Sequence, residues 1–167
     1  PFKNTNWQYL GPTNVSGRAT DVAIVDVNGA RHIYAAYATS GLWKSEDHGR
    51  TWRAILEHEA STSIGDIAVA PSNGDVLYVG TGEANNQRSS YWGNGVYKSL
   101  DGGKTFAHVG LPHTEHIGRI VVHPNNPDVV YVAALGALYT PSEERGLYRS
   151  TDGGGSWQRV HHLGPDV

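Results

Sequence analysis

The chain contains no cysteine and no methionine among its 167 residues. Without cysteine there is no disulfide, no thiol nucleophile and no cysteine-based zinc site. Secretion stays open, because a large core holds together without covalent staples. Lacking even an initiator methionine, the chain reads as a mature or excised segment. No apolar run approaches 18 residues, so no segment reads as a membrane-spanning helix. No charged-then-apolar leader follows Pro1. An excess of one charge is missing too: 13 Lys and Arg stand against 16 Asp and Glu, a formal net charge of −3. A nucleic-acid-binding face needs a basic excess, so that class of partner is set aside. There is no G-x-S-x-G nucleophile elbow. Gly80-Thr81-Gly82 follows a strand but opens no helix, so no dinucleotide loop and no cofactor are expected.

Glycine and aromatics are abundant: 21 Gly, five Trp and nine Tyr. That balance suits short strands joined by tight turns. One eight-residue pattern, S-x-D-x-G-x-[TS]-[WF], occurs three times without gaps. Its fixed positions are Ser45, Asp47, Gly49 and Trp52; Ser99, Asp101, Gly103 and Phe106; and Ser150, Asp152, Gly154 and Trp157. The aspartates stand 54 and then 51 residues apart. Each copy is preceded by a short strand: Gly41 to Lys44, Gly95 to Lys98, Gly146 to Arg149. A β-branched strand lies further upstream, beginning at Ile33, Val76 and Val129. Before that comes a first strand, led by Gly17-Arg18, Gly65-Asp66 and Gly118-Arg119. A fourth strand starts at the aromatic. At most, Ser142 to Arg145 makes one helical turn.

Four strands repeated about every 52 residues describe propeller blades. The fold class is therefore all-β: a partial β-propeller of about three four-stranded antiparallel blades, the N-terminal part of a larger closed ring. The blades are expected at residues 11–57, 58–110 and 111–163. Asn6 to Leu10 resembles a fourth strand, so residues 1–10 are expected to give the missing last blade its outer strand. Closed propellers typically have four to eight blades, so partners include the remaining blades. The isolated segment is expected to self-associate through its open ends.

Within each box the Asp carboxylate can accept turn N–H groups, as Asx turns do. The Gly permits a conformation that a Cβ penalises, and the aromatic packs beneath the hairpin. A structural role is expected for all three aspartates. The motif is the Asp box, or bacterial neuraminidase repeat. The chain resembles Asp-box propellers grouped with sortilin-type domains and with bacterial proteins described as glycosyl hydrolases. The opening from Trp7 to Asp21 and the segment Gly93 to Ser99 carry that resemblance as well. It specifies the fold better than the activity, since sialidases, xyloglucanases, sortilins and photosystem assembly factors share the box.

The fourth-to-first and second-to-third connections gather on one rim, opposite the boxes. The loop Thr81 to Asn94 is long and rich in amides, with Asn85, Arg88 and the adjacent Tyr91-Trp92. Long loops of this content often carry function. They also occur as plain exposed loops, with Trp92 packed on a neighbouring blade. His58, Glu59, His113, Glu115 and His116 lie in the fourth-to-first loops, and Glu144 lies in a charged cluster of the third blade. His113-Thr114-Glu115-His116 is not the helical zinc motif, and no metal site is expected. Arg18, Asp21, Asp66 and Arg119 sit on inner strands. They bind an anionic ligand in the axial channel or simply pair with one another there.

Two functions compete. One is a non-catalytic, sortilin-like binding propeller for a peptide, protein or glycan, with Arg18, Asp21, Glu83, Asn85, Arg88, Tyr91, Trp92, His116 and Arg119 as candidate contacts. The other is a glycoside hydrolase, whose chemistry needs two carboxylates flanking the bond. Glu83, Asp66, Glu115 and Glu144 are the candidates. The resemblance to sialidases stops short of their Arg-Ile-Pro motif, because Arg119-Ile120 continues with Val121. Binding is the preferred reading, in a secreted, periplasmic or cell-surface setting.

Overall fold

The computed structural model describes residues 17–86, 90–162 and 164–165. These residues form three four-stranded antiparallel sheets and no helix. The first blade is β1 (Ala19–Val27), β2 (Ala30–Tyr37), β3 (Gly41–Ser45) and β4 (Arg53–Ala54). The second is β5 (Ile64–Ala70), β6 (Asn73–Thr81), β7 (Val96–Ser99) and β8 (Ala107–His108). The third is β9 (Ile117–His123), β10 (Asn126–Ala134), β11 (Gly146–Ser150) and β12 (Gln158–His161). In each, spatial order follows chain order, the arrangement of a propeller blade. The fourth strand expected at residues 5–10 lies outside the described residues.

Blade packing explains the burial patterns. The middle blade is covered on both faces, so β5 is almost continuously apolar and buried. A strand with only one covered face alternates instead, as β1 does: its Val22 and Ile24 are exposed, while Ala23 and Val25 pack against the second blade. Tyr34, Ala36 and Leu42 meet Ile67, Leu77, Val79 and Tyr97 between the first two blades. Val76, Tyr78 and Val96 meet Ile120, Val130, Val132 and Tyr148 between the second and third.

The register corrects the sequence alignment at two points. The box serines Ser45, Ser99 and Ser150 pair with Ile33, Leu77 and Val130. The second strands are therefore equivalent at Leu77 and Val130, one residue later than Val76 and Val129, and Tyr34, Tyr78 and Tyr131 fall into register. On the first strands, Asp21, Asp66 and Arg119 pair with Ala36, Gly80 and Ala133. Arg18 is thus equivalent to Ser63 and His116, and not to Arg119. Backbone bonds agree: the N–H groups of Ala38, Gly82 and Leu135 donate to the carbonyls of Arg18, Ser63 and His116. The Gly-Arg dipeptides misled because Gly17-Arg18 precedes β1, whereas Gly118-Arg119 lies within β9, three positions further along the register.

The boxes have one geometry. In the first, Ser45 Oγ donates to Asp47 Oδ1 at 2.9 Å and accepts from Gly49 N at 2.8 Å. Thr51 donates its N–H to Oδ1 at 2.8 Å and its hydroxyl to Oδ2 at 2.6 Å. Asp101 and Asp152 repeat the pattern with Thr105 and Ser156. With their acceptor sites engaged, the carboxyls of Asp47 and Asp152 are held at about 2, chiefly by these bonds. At Asp101 burial opposes ionisation, but the same bonds outweigh it and hold the group lower still. Gly103 has φ +83°, and a Cβ there would stand 2.8 Å from Ile55 Cδ1. Gly103→Ala is therefore expected to cost roughly 1–2 kcal/mol, read as a lower urea midpoint. An unchanged midpoint would mean that the turn relaxes freely.

Candidate functional site

The box aspartates lie on the rim that carries the first-to-second-strand turns: Gly102 and Gly153 donate their N–H to the carbonyls of Asp75 and Asp128. The opposite rim gathers the long loops around Glu83. There the three equivalent positions Arg18, Ser63 and His116, one from each blade, all reach this residue. Arg18 grips its carboxylate with two bonds, Nε to Oε1 at 2.7 Å and Nη2 to Oε2 at 2.5 Å. Ser63 Oγ accepts the Glu83 N–H at 3.1 Å. His116 Nδ1 lies 2.7 Å from the Glu83 carbonyl, so the proton sits on that nitrogen.

Glu83 is fully buried. Burial opposes its ionisation, but hydrogen bonds from Arg18, Asn85 and Ser90 outweigh it and hold the carboxyl below the usual range. Burial pushes His116 the other way, below the ordinary imidazole value, against the pull of the Glu83 carbonyl. The ring is neutral at pH 7. Gly82 makes the approach possible: its φ is +84°, and a Cβ would collide with the Glu115 carbonyl.

The same hub anchors the aromatic pair by its backbone. Ser63 Oγ donates to the Tyr91 carbonyl at 2.8 Å, and the Glu83 N–H reaches that oxygen at 3.2 Å. The rings themselves face solvent, Tyr91 at 58% and Trp92 at 73% exposure. Packing of Trp92 on a neighbouring blade is therefore not what the structure has. With Thr39, Ser61, Thr62 and Ser63, the pair lines an open cleft of about 320 Å³.

Nearer the axis, Asp21 accepts the Ile67 N–H at 3.2 Å and Asp66 accepts the Ile120 N–H at 2.7 Å, each tying its blade to the next. Arg119 takes the equivalent place in the third blade and turns back to Asp66 at 3.3 Å. Burial pushes the Asp66 carboxyl up to about 6; the Ile120 N–H opposes this and the neighbouring Asp21 adds to it. Of the inner-strand charges, Arg119 pairs with Asp66, while Arg18 is held by Glu83 and Asp21 by a backbone N–H.

Of the remaining candidates, Asn85 donates to Glu83 Oε1 at 3.3 Å. Glu115 contributes its carbonyl, which accepts the Gly93 N–H at 2.6 Å. Glu144 lies apart, against the Tyr148 hydroxyl. Arg88 lies outside the described residues. Ser63 and Thr39 were missed, since neither stands out in sequence. Aligning Ser63 with Arg18 and His116 by strand register would have found it.

Three inter-blade ties, a charge-neutral hub and an open aromatic cleft define a segment of an Asp-box β-propeller. The family description "Sortilin, neurotensin receptor 3" matches residues 40–163, and the chain belongs to that sortilin family. Sortilin of Rattus norvegicus is 26% identical over 77% of this chain and 14% of its own length. Xyloglucanase Xgh74A of Acetivibrio thermocellus is 28% identical over 95% of this chain and 21% of its own. The crystal structure of an ancestral GH74 enzyme superposes with a TM-score of 0.67 at 26% identity, over 94% of this chain and 20% of that one. The chain thus spans about a fifth or less of the relatives it matches. Among the described residues, no helix is long and apolar enough to cross a membrane.

Proposed function

We propose that this part of the propeller is a non-catalytic binding surface, taking a peptide, protein or glycan in the cleft beside Tyr91 and Trp92. The observation that carries the reading is the pairing of exposed aromatics with a spent carboxylate. Glu83, buried and held by two hydrogen bonds from Arg18 and one from Asn85, is engaged in fixing the loop. Exposed aromatic rings offer large contact area at low entropic cost and stack on sugars or apolar side chains. The setting is secreted, periplasmic or cell-surface.

The test is a glycan and peptide array probed with the protein in its longest natural form, followed by titration of the hits. Trp92→Ala is expected to weaken binding about tenfold or more and to leave thermal unfolding unchanged, because the ring is exposed. Undiminished affinity would remove the cleft from consideration.

Two observations favour a second reading, a glycoside hydrolase. The xyloglucanase relatives align over nearly the whole chain, and Asp66 near 6 sits where a general acid works. Its partner carboxylate would stand about 5–5.5 Å away for retention or 6.5–9.5 Å for inversion. Release of reducing sugar from xyloglucan, lost in Asp66→Asn with binding intact, would put this reading first.

A further inference from the structure

We propose that His116 is a ligand contact at the inner end of the cleft, its Nε2 accepting a hydrogen bond from a neutral donor, a hydroxyl or an amide N–H. The inference rests on the binding reading above and adds a polar contact to its aromatic one. Of the three equivalent positions around Glu83, two make paired contacts. Arg18 holds the Glu83 carboxylate through Nε and Nη2. Ser63 Oγ accepts the Glu83 N–H and donates to the Tyr91 carbonyl. His116 engages Nδ1 alone, on the Glu83 carbonyl.

The second ring nitrogen is left over. A carbonyl only accepts, so Nδ1 carries the proton and the neutral ring keeps a lone pair on Nε2. The residue is only 4% exposed. Its Nε2 has no hydrogen-bond partner among the described residues, yet it is not sealed in as Thr20 Oγ1 and His32 Nδ1 are. His162 makes the same Nδ1 contact, with the Arg145 carbonyl, but sets its Nε2 3.8 Å from Glu143. The backbone holds the His116 ring in place. Its carbonyl accepts the Leu135 N–H at 2.8 Å, and its own N–H donates to the Thr114 carbonyl at 2.5 Å. Leu111 and Glu115, in the loop that delivers it, have φ of +56° and +53°. Such strain in residues other than glycine is costly and collects at functional sites.

The ring stands against the loop that carries the aromatic pair. Glu83, whose carbonyl holds the ring, donates its N–H to the Tyr91 carbonyl at 3.2 Å. Gly93, next to Trp92, donates to the carbonyl of Glu115, next to His116, at 2.6 Å. The chemistry of the site selects an uncharged donor. No charged side chain lines the cleft, and at the hub Arg18 is balanced by Glu83. Burial holds the His116 ring below the ordinary imidazole value even with Glu83 and Glu115 nearby. A positive charge is therefore disfavoured at this spot, whether it sits on the ring or on a ligand.

The test treats the protein in its longest natural form with diethyl pyrocarbonate, which acylates an imidazole nitrogen that is unprotonated and reachable. Mass spectrometry is expected to find His116 modified at pH 7, and modified more slowly once a probe is bound. Two probe sets are used: neutral oligosaccharides, which offer hydroxyls, and peptides acetylated at one end and amidated at the other, which offer amide N–H groups. His116→Asn keeps a donor for the Glu83 carbonyl and lacks the second ring nitrogen. It is expected to bind the shielding probe about tenfold less tightly, with thermal unfolding close to the parent. An unmodified His116, a modification that a bound probe does not slow, or parental affinity in His116→Asn overturns the proposal. Affinity lost in Trp92→Ala but kept in His116→Asn removes this contact and leaves the cleft standing. Failure of both probe sets to bind removes both.

Discussion

Replacing Tyr78 with alanine is expected to destabilise the protein by about 3–5 kcal/mol, the range for large aromatic truncations in cores. Tyr78 is fully buried, in the cluster that joins the second and third blades. Its ring packs among side chains of both blades and lies under Lys98, while its hydroxyl donates to the Pro127 carbonyl at 2.9 Å. Truncation removes the apolar contact, leaves a cavity and deprives Pro127 of its partner. Tyr78→Phe keeps the ring and is expected to cost only about 1 kcal/mol. Urea unfolding of both variants checks the ratio. A loss below 1 kcal/mol for alanine would mean that the two blades hold together without this cluster.

Asp66→Asn is expected to stabilise the protein at pH 7 and to lose that advantage near pH 4. Asp66 has its folded value raised to about 6 from 3.8. The folded state therefore binds this proton more tightly, and stability falls as pH rises from about 4 through 6. Ionised at pH 7, the buried carboxylate costs on the order of 3 kcal/mol. Asparagine keeps an acceptor for the Ile120 N–H and carries no charge, so part of that cost returns, less the contact to Arg119. His32 and His116, held below 6.5, work in the opposite sense, but they cancel in the difference between variant and parent. A difference in urea midpoint that is the same at pH 4 and pH 7 would show that Asp66 does not titrate between them.

Below pH 4 the sign reverses for both proteins. Asp47 and Asp152 sit at about 2, from 3.8, and Asp101 is lowered too. Their stabilisation is present above 3.8 and is lost as pH falls towards 2. Acid unfolding is expected in that window, reported by tryptophan fluorescence.

The repeat made the blades legible because the box is a local device. Its donors and acceptors lie within four residues of each aspartate, so spacing in sequence is spacing in space. The structural role of Asp47, Asp101 and Asp152 follows from the same locality. The hub was harder to see. Arg18, Ser63 and His116 differ in type, stand far apart in sequence, and meet Glu83 only because three blades place equivalent positions at one rim. The Gly-Arg dipeptides pointed to a different equivalence, since they recur three positions apart in strand register, one before β1 and one within β9.

By itself the sequence determined the architecture of this protein: four short strands, a tight turn, an aromatic, and the same again. Those features rest on backbone sterics, turn hydrogen bonds and the alternation of apolar side chains, all short-range. Only the tertiary structure decided the fate of the charges. It buried Glu83 against Arg18, lifted Asp66 by taking it out of water, and turned Tyr91 and Trp92 outward while fixing their backbone. Each outcome depends on desolvation and on partners tens of residues away, which no local pattern encodes.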